Sequence, residues 1–122
     1  MRTYEALAAG IALFNEGRFW DAHEAWEEAW LEEEDERKLC LQGLIQIAAG
    51  YHKAFVQRQP SGCVKLLRSG LEKLEPLPRD FLGVELGPLI AAARASYAEA
   101  ADWLGGTRAG ISAAPRIAMM GA

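Results

Sequence analysis

Residues 14–31, FNEGRFWDAHEAWEEAWL, decide the fold of this chain. On a helix at about 100° per residue, one broad apolar arc is formed by Phe19, Ala22, Trp26, Trp30 and Leu31, with Trp20 at its edge. His23 falls near the middle of this arc and Glu27 inside it, whereas Glu24 sits at its border. A titratable pair on the face that should be buried indicates a site without naming a reaction.

The helical period continues through the rest of the sequence. It predicts helices from Thr3, as N-cap, to Asn15, from Phe19 to Leu31 and from Glu36 to Arg58. Pro60 starts a fourth helix that Pro76 and Pro78 end, and a fifth runs from Pro88 to Leu104, where Gly105-Gly106 stops it. Alternating strand patterns do not compete with this reading. The sequence therefore predicts an all-α fold of about five helices in a mostly antiparallel bundle.

The third predicted helix has two different faces. Its apolar face carries Leu41, Leu44, Ile45, Ala48, Phe55 and Val56, with His52 among them. Its opposite side is a stripe of Gly43, Gly50 and Ala54, flanked by Gln42 and Gln46. Each glycine inside a helix costs about 1 kcal/mol relative to alanine unless another helix uses the space. We therefore expect this helix to be the central one.

The length of 122 residues suits one domain. We expect the bundle to cover residues 1–106, and residues 107–122 to be a tail that is either flexible or laid along the body or a neighbour. An apolar run long enough for a membrane span and a signal-peptide core are both missing from the sequence, so a cytoplasmic location is expected. Cys40 and Cys63 lack a metal or disulfide spacing, which favours buried free thiols.

Charge is unevenly distributed along the chain. Residues 1–36 hold 11 acids and 2 bases, a net charge of −9, whereas residues 37–122 hold 6 acids and 11 bases, a net charge of +5. Either the acidic run is a solvated helix end or the two parts form a contact surface, within the fold or between subunits. The split, together with aromatic surface, predicts a homo-oligomer, most simply a dimer. The acidic total argues against nucleic acid as a partner.

The sequence His23-Glu24-Ala25-Trp26-Glu27 invites comparison with the H-E-x-x-H helix of zinc proteases. Glu27 stands where the second His should be. A carboxylate can still ligate a metal, so a site of His23, Glu27 and His52 with an open position is chemically possible. A metal-dependent hydrolase using His23, Glu27 and nearby acids is the alternative function. Nucleophilic catalysis has less support, because neither Cys nor any Ser lies in a recognisable motif.

A buried polar cluster is the competing interpretation. In an antiparallel hairpin, Gln46 lies level with His23 or Glu27, whereas His52 lies about 10 Å further along. This register favours a cluster of His23, Glu27 and Gln46, with His52 paired elsewhere. If His23 and Glu27 are both buried, replacing Glu27 by Ala should cost about 2–4 kcal/mol. Five aromatic residues have two interpretations, because they are either part of the core or the wall of a small-ligand pocket. These residues are Phe14, Phe19, Trp20, Trp26 and Trp30.

This motif, followed by LQGLIQIAAGYH at residues 41–52, resembles the bacterial and archaeal domain-of-unknown-function family 309. The resemblance is close from Phe14 to His52 and looser to Leu86. It implies a small helical fold and no established activity. The signature positions that it carries over are Phe14, Asn15, Gly17, His23, Glu24, Trp26, Glu27, Trp30, Gly43, Gln46 and His52.

Two function classes therefore stay open. One is a non-catalytic bundle that binds a partner or a small ligand around a buried His/Glu/Trp cluster, and the other is the metal-assisted enzyme. The sequence favours the first, without a cofactor.

Overall fold

Five α-helices joined by short connections make up most of the part of the chain that the structure describes. The computed structural model describes residues 2–121, so Met1 and Ala122, which begin and end the two predicted segments 1–106 and 107–122, lie outside it. The helices are α1 (Arg2–Asn15), α2 (Phe19–Trp30), α3 (Asp35–Phe55), α4 (Pro60–Leu74) and α5 (Leu86–Leu104), with a 3-10 turn at Phe81–Gly83. Consecutive helices pack side by side. The predicted all-α bundle is confirmed.

Helix ends follow the backbone preferences of glycine and proline. Gly17 adopts a φ of 83°, in the left-handed region that favours glycine, and ends the turn after α1. Pro60 is the first residue of α4, where its missing N–H breaks no helical bond. The expected Thr3 N-cap is wrong, because α1 begins at Arg2 and the Thr3 hydroxyl donates to the Glu33 carboxylate.

Two residues assigned to apolar faces are on the surface instead. Leu31 is 69% exposed and Val56 is 62% exposed. Each comes directly after the last residue of its helix, α2 for Leu31 and α3 for Val56, so the neighbouring helix does not cover it. The buried part of each apolar face therefore ends before Leu31 on α2 and before Val56 on α3, the last members that the helical period predicts.

The glycines of α3 admit α4 at close range. A Cβ built on Gly43 would lie 2.6 Å from Leu74 Cδ2, and one on Gly50 would lie 2.9 Å from Leu67 Cδ2. Both distances are shorter than van der Waals contact, so a larger residue at either position would require the leucine of α4 to shift. Because α3 packs against α4 on this side and against α2 on another, it is the central helix that the sequence predicted.

Helix α1 is joined to α2 by the indole of Trp26. The Trp26 Nε1–H donates to the Leu7 carbonyl at 3.1 Å in the buried interface. A Cβ on Gly10 would overlap the indole ring. The missing side chain of Gly10 thus leaves the space that the Trp26 ring occupies.

The segment after α5 lies against the body. Ile111 and Ile117 are buried, and the Glu85 N–H donates to the Ala118 carbonyl at 2.9 Å. Ser112 donates from its backbone N–H and from its hydroxyl to the two Glu99 carboxylate oxygens, each at 2.9 Å, and these bonds lower the pKa of Glu99. The tail is therefore fixed by backbone and side-chain hydrogen bonds at several points.

Candidate functional site on helices α2 and α3

Apart from Phe14, which lies on α1, the predicted site residues lie along the antiparallel hairpin of α2 and α3. Phe19, Ala22 and Trp26 point inward and are buried. Because these three side chains face the core, Trp20 and Glu24 of the same helix face the outer surface that α2 shares with α3. Trp20 is 47% exposed, and Glu24 is exposed one turn after it.

Trp20 is held between two histidines. Its ring stacks on His23 of the same helix, with ring centroids 4.4 Å apart and an angle of 11° between the planes. The His52 ring of α3 lies 5.2 Å away at 43°. Although Trp20 is half exposed, its contacts fix its orientation.

The His23–Glu27 pair is looser than the sequence suggested. His23 Nε2 and Glu27 Oε2 are 3.8 Å apart, which is beyond a hydrogen bond and is an ion pair only if the imidazole is protonated. The His23 side chain is 15% exposed and that of Glu27 is 53% exposed. The expected burial of Glu27 is wrong, because this residue lies at the outer edge of the arc, where α3 does not cover it.

Two buried polar atoms of the hairpin lack a hydrogen-bond partner within residues 2–121. They are His23 Nδ1 and Gln46 Oε1. Each buried, unsatisfied group of this kind costs about 1–3 kcal/mol. The two atoms have complementary chemistry, since His23 Nδ1 can donate a hydrogen bond in the tautomer that carries its proton there, and Gln46 Oε1 accepts one. A cluster of His23, Glu27 and Gln46 stays a prediction.

The five aromatic residues predicted as one wall are divided between core and surface. Phe14, Phe19 and Trp26 are buried in the core, whereas Trp20 is half exposed. Trp30 is partly buried, and Lys38 Nζ lies 4.2 Å from its ring centroid in a cation–π contact. At this end of the hairpin a shallow cavity of about 270 Å³ is lined by Trp30, Asp35, Lys38, Leu39 and Gln42.

Sequence reasoning placed Phe55 on the apolar face of α3 but missed Tyr51, which α3 also contributes to the aromatic core. The Tyr51 ring contacts Phe14, Phe19 and Phe55 at centroid distances of 5.8–6.3 Å. Its hydroxyl donates to Ser96 Oγ of α5 at 2.8 Å, and burial raises the pKa of Tyr51 to about 12. The adjacency of Tyr51 and His52 could have indicated that α3 turns one aromatic ring to the core and one to the surface.

Metal and thiol chemistry find little support in the side-chain positions. No three or more His, Cys, Asp or Glu side chains between residues 2 and 121 are grouped so that they could hold a metal ion. Cys40 and Cys63 are free and buried, as predicted. Burial raises the pKa of Cys40 to about 12 and that of Cys63 to about 11, so neither is an active nucleophile near neutral pH.

Comparison with known proteins places the hairpin in a family. Residues 7–66 match the family model described as "Domain of unknown function (DUF309)". Residues 7–66 therefore belong to the DUF309 family. The matched DUF309 segment includes all of α2 and α3, and so contains Trp20, His23, Gln46 and His52.

A relative of the chain is an uncharacterised protein of Aquifex aeolicus (strain VF5). It is 33% identical over 91 residues, which are 74% of this chain and 27% of the relative. The alignment thus spans about a quarter of the relative's length. Among the helices within residues 2–121, none combines the length and the apolarity that crossing a membrane requires.

Proposed function

We propose that this protein is a non-catalytic binding bundle whose partner docks on the outer surface of α2 and α3. The observation that carries the proposal is Trp20, which is 47% exposed yet held by His23 and His52. Tryptophan is, with tyrosine and arginine, enriched among the residues that dominate binding energy. A ring whose orientation is already fixed loses little conformational entropy when a partner covers it.

The groups around Trp20 fit recognition better than catalysis. The 3.8 Å between His23 Nε2 and Glu27 Oε2 is longer than the hydrogen bond that would orient a general base, so this arrangement gives recognition more support than catalysis. His23 and His52 instead flank the Trp20 ring with polar side chains, and the exposed Glu24 lies one turn away on α2, which is the composition of an interface centre with a polar rim. The free thiols of Cys40 and Cys63 fit the cytoplasmic location that we also propose.

The test is an affinity capture with a matched control. The tagged full chain and its Trp20→Ala and Leu104→Ala variants are incubated with a bacterial lysate that also contains the untagged chain. Leu104 is 51% exposed, close to the value for Trp20, but lies at the end of α5. We expect Trp20→Ala to reduce the retained partner at least about tenfold, since interface tryptophans are often worth 2 kcal/mol or more. The same retained proteins at the same amounts for all three baits would refute the proposal.

A further inference from the structure

We infer that the partner on this surface is a second copy of the chain, packed about a two-fold axis that runs along α2 and α3. The inference rests on the proposed function, because it names the partner of the same surface. It is argued from two stripes of side chains, one on each helix, and from their charges.

The α2 stripe consists of Trp20, Glu24, Glu27 and Leu31, all of which are exposed. Leu31 directly follows the last residue of the helix. Their spacings are four, three and four residues. This alternation keeps side chains on the side of a helix that meets another helix in a coiled coil. The stripe has an apolar residue at each end and two acids between them.

The α3 stripe repeats the same alternation over six positions. Its members are Lys38, Gln42, Ile45, Ala49, His52 and Val56. Ile45 and Ala49 are almost fully buried and form a low centre, whereas Val56 projects at the end. Small or recessed residues at the centre let another helix approach closely.

The charges of the two stripes are opposite. Glu24 and Glu27 lie on α2, and Lys38 lies on α3. A two-fold axis along the helices places α2 of each copy over α3 of the other. Each acidic α2 stripe therefore meets the α3 stripe of the other copy, which carries Lys38, and this pairing occurs twice in the dimer. Such an arrangement joins two helical hairpins into a four-helix layer.

Heights along the hairpin are compatible with this pairing. Contacts place Trp30 level with Lys38 and Trp20 level with His52. Glu27 is three residues from Trp30, about 4.5 Å along the helix axis. Because this axis preserves height, Glu27 comes within one helical turn of the partner's Lys38, a difference that the long lysine stem can span. The half-exposed Trp20 then lies opposite the partner's His52.

The test begins with the mass of the full chain in solution, measured by light scattering and sedimentation from about 1 μM to about 1 mM, the range of weak to moderate affinities. We expect a mass twice that of the chain. Trp20→Ala and Glu27→Lys should each raise the dimer dissociation constant at least about tenfold, since each change occurs twice in the dimer. Glu72→Lys, on the exposed surface of α4, is the matched charge control and should leave the constant unchanged.

Charge exchange then tests the pairing itself. Glu27→Lys and Lys38→Glu each place like charges opposite one another in a homodimer. In a mixed dimer of the two single variants, the two substituted side chains meet at one junction with their charges exchanged, and the native Glu27 meets the native Lys38 at the other. At a concentration at which the native chain is dimeric, we therefore expect more dimer from the mixture than from either variant alone, with circular dichroism confirming that both variants are folded.

A monomer at every concentration would overturn the inference, as would a dimer that Trp20→Ala and Glu27→Lys leave unchanged or a mixture that does not recover. A monomeric chain that still captures another protein through Trp20 would overturn only the second copy as partner. The proposed function would then stand, so the two failures are distinguishable.

Discussion

The side-chain amide of Asn15 pairs with both backbone groups of Ile117. Asn15 Oδ1 accepts the Ile117 N–H at 2.8 Å, and Asn15 Nδ2 donates to the Ile117 carbonyl at 2.9 Å. The amide thus acts as a neighbouring strand would, and it joins the end of α1 to the tail across 102 residues of sequence. Ile117 itself is buried.

Replacing Asn15 by Ala should therefore loosen the tail. We expect the free energy of unfolding to fall by about 1–2 kcal/mol, because two partly buried hydrogen bonds are lost. The exposed Arg116 gives a direct readout, since trypsin cleaves after it only when the flanking chain can detach. Mass spectrometry should show faster cleavage there in Asn15→Ala than in Gln57→Ala, a control at an exposed position after α3. Equal cleavage rates would show that the Asn15 amide does not hold the tail.

Gly10 should not tolerate even a methyl group. In Gly10→Ala the new Cβ overlaps the Trp26 ring, which must move and break its hydrogen bond to Leu7. We expect urea unfolding to show a loss of about 2–4 kcal/mol, the range for overpacking combined with a lost buried bond. Gly87→Ala is the matched control, because its Cβ would lie 4.0 Å from the nearest neighbouring atom, Arg79 Cδ. That variant should be neutral or more stable by up to about 1 kcal/mol; equal losses in both would contradict the role of Trp26.

Much of this fold could be predicted because its signals are local. The period of 3.6 residues, Pro60 and the glycines of α3 each report on a single helix or its ends. The pairing of Asn15 with Ile117 could not be predicted, because no local pattern links residues so far apart. The exposure of Glu27 was also missed, since a helical wheel gives the direction of a side chain but not how much of that direction the next helix covers.

Glu27 should consequently matter little to stability. A buried Glu27 would cost about 2–4 kcal/mol when replaced by Ala, but the side chain is 53% exposed and its only ion-pair contact within residues 2–121 is the 3.8 Å approach to His23. Exposed pairs contribute about 0–1 kcal/mol. Denaturation of Glu27→Ala should give less than about 1 kcal/mol of change at low protein concentration, where self-association does not contribute. A larger loss would mean that Glu27 is a true partner of the imidazole.

Gln46 allows the polar cluster to be tested separately. Its Oε1 is buried without a hydrogen-bond partner within residues 2–121, so Gln46→Met, which keeps a similar length, removes an unsatisfied group. We expect the free energy of unfolding to stay the same or to rise by about 1 kcal/mol. If Gln46 instead accepts a hydrogen bond from His23 in solution, the variant should lose stability, and the His23 ring signals in NMR spectra should shift with it.

Alkaline pH should destabilise the protein through three buried groups that lose a proton there, the thiols of Cys40 and Cys63 and the hydroxyl of Tyr51. Burial raises the pKa of the Cys40 thiol from 9.0 to about 12, that of Cys63 from 9.0 to about 11, and that of Tyr51 from 10.0 to about 12. The folded state therefore holds protons that the unfolded state releases from about pH 9 upward. The stabilising contribution is complete below about pH 9 and is lost as pH rises toward about 11–12, by up to about 1.4 kcal/mol per pH unit for each group. Unfolding midpoints measured at intervals from about pH 8 to about pH 10.5 should decline, and the native thiols should resist labelling at about pH 8 until urea is added. Rapid labelling of the folded protein at that pH would show that Cys40 and Cys63 are accessible and would remove the basis of the alkaline effect.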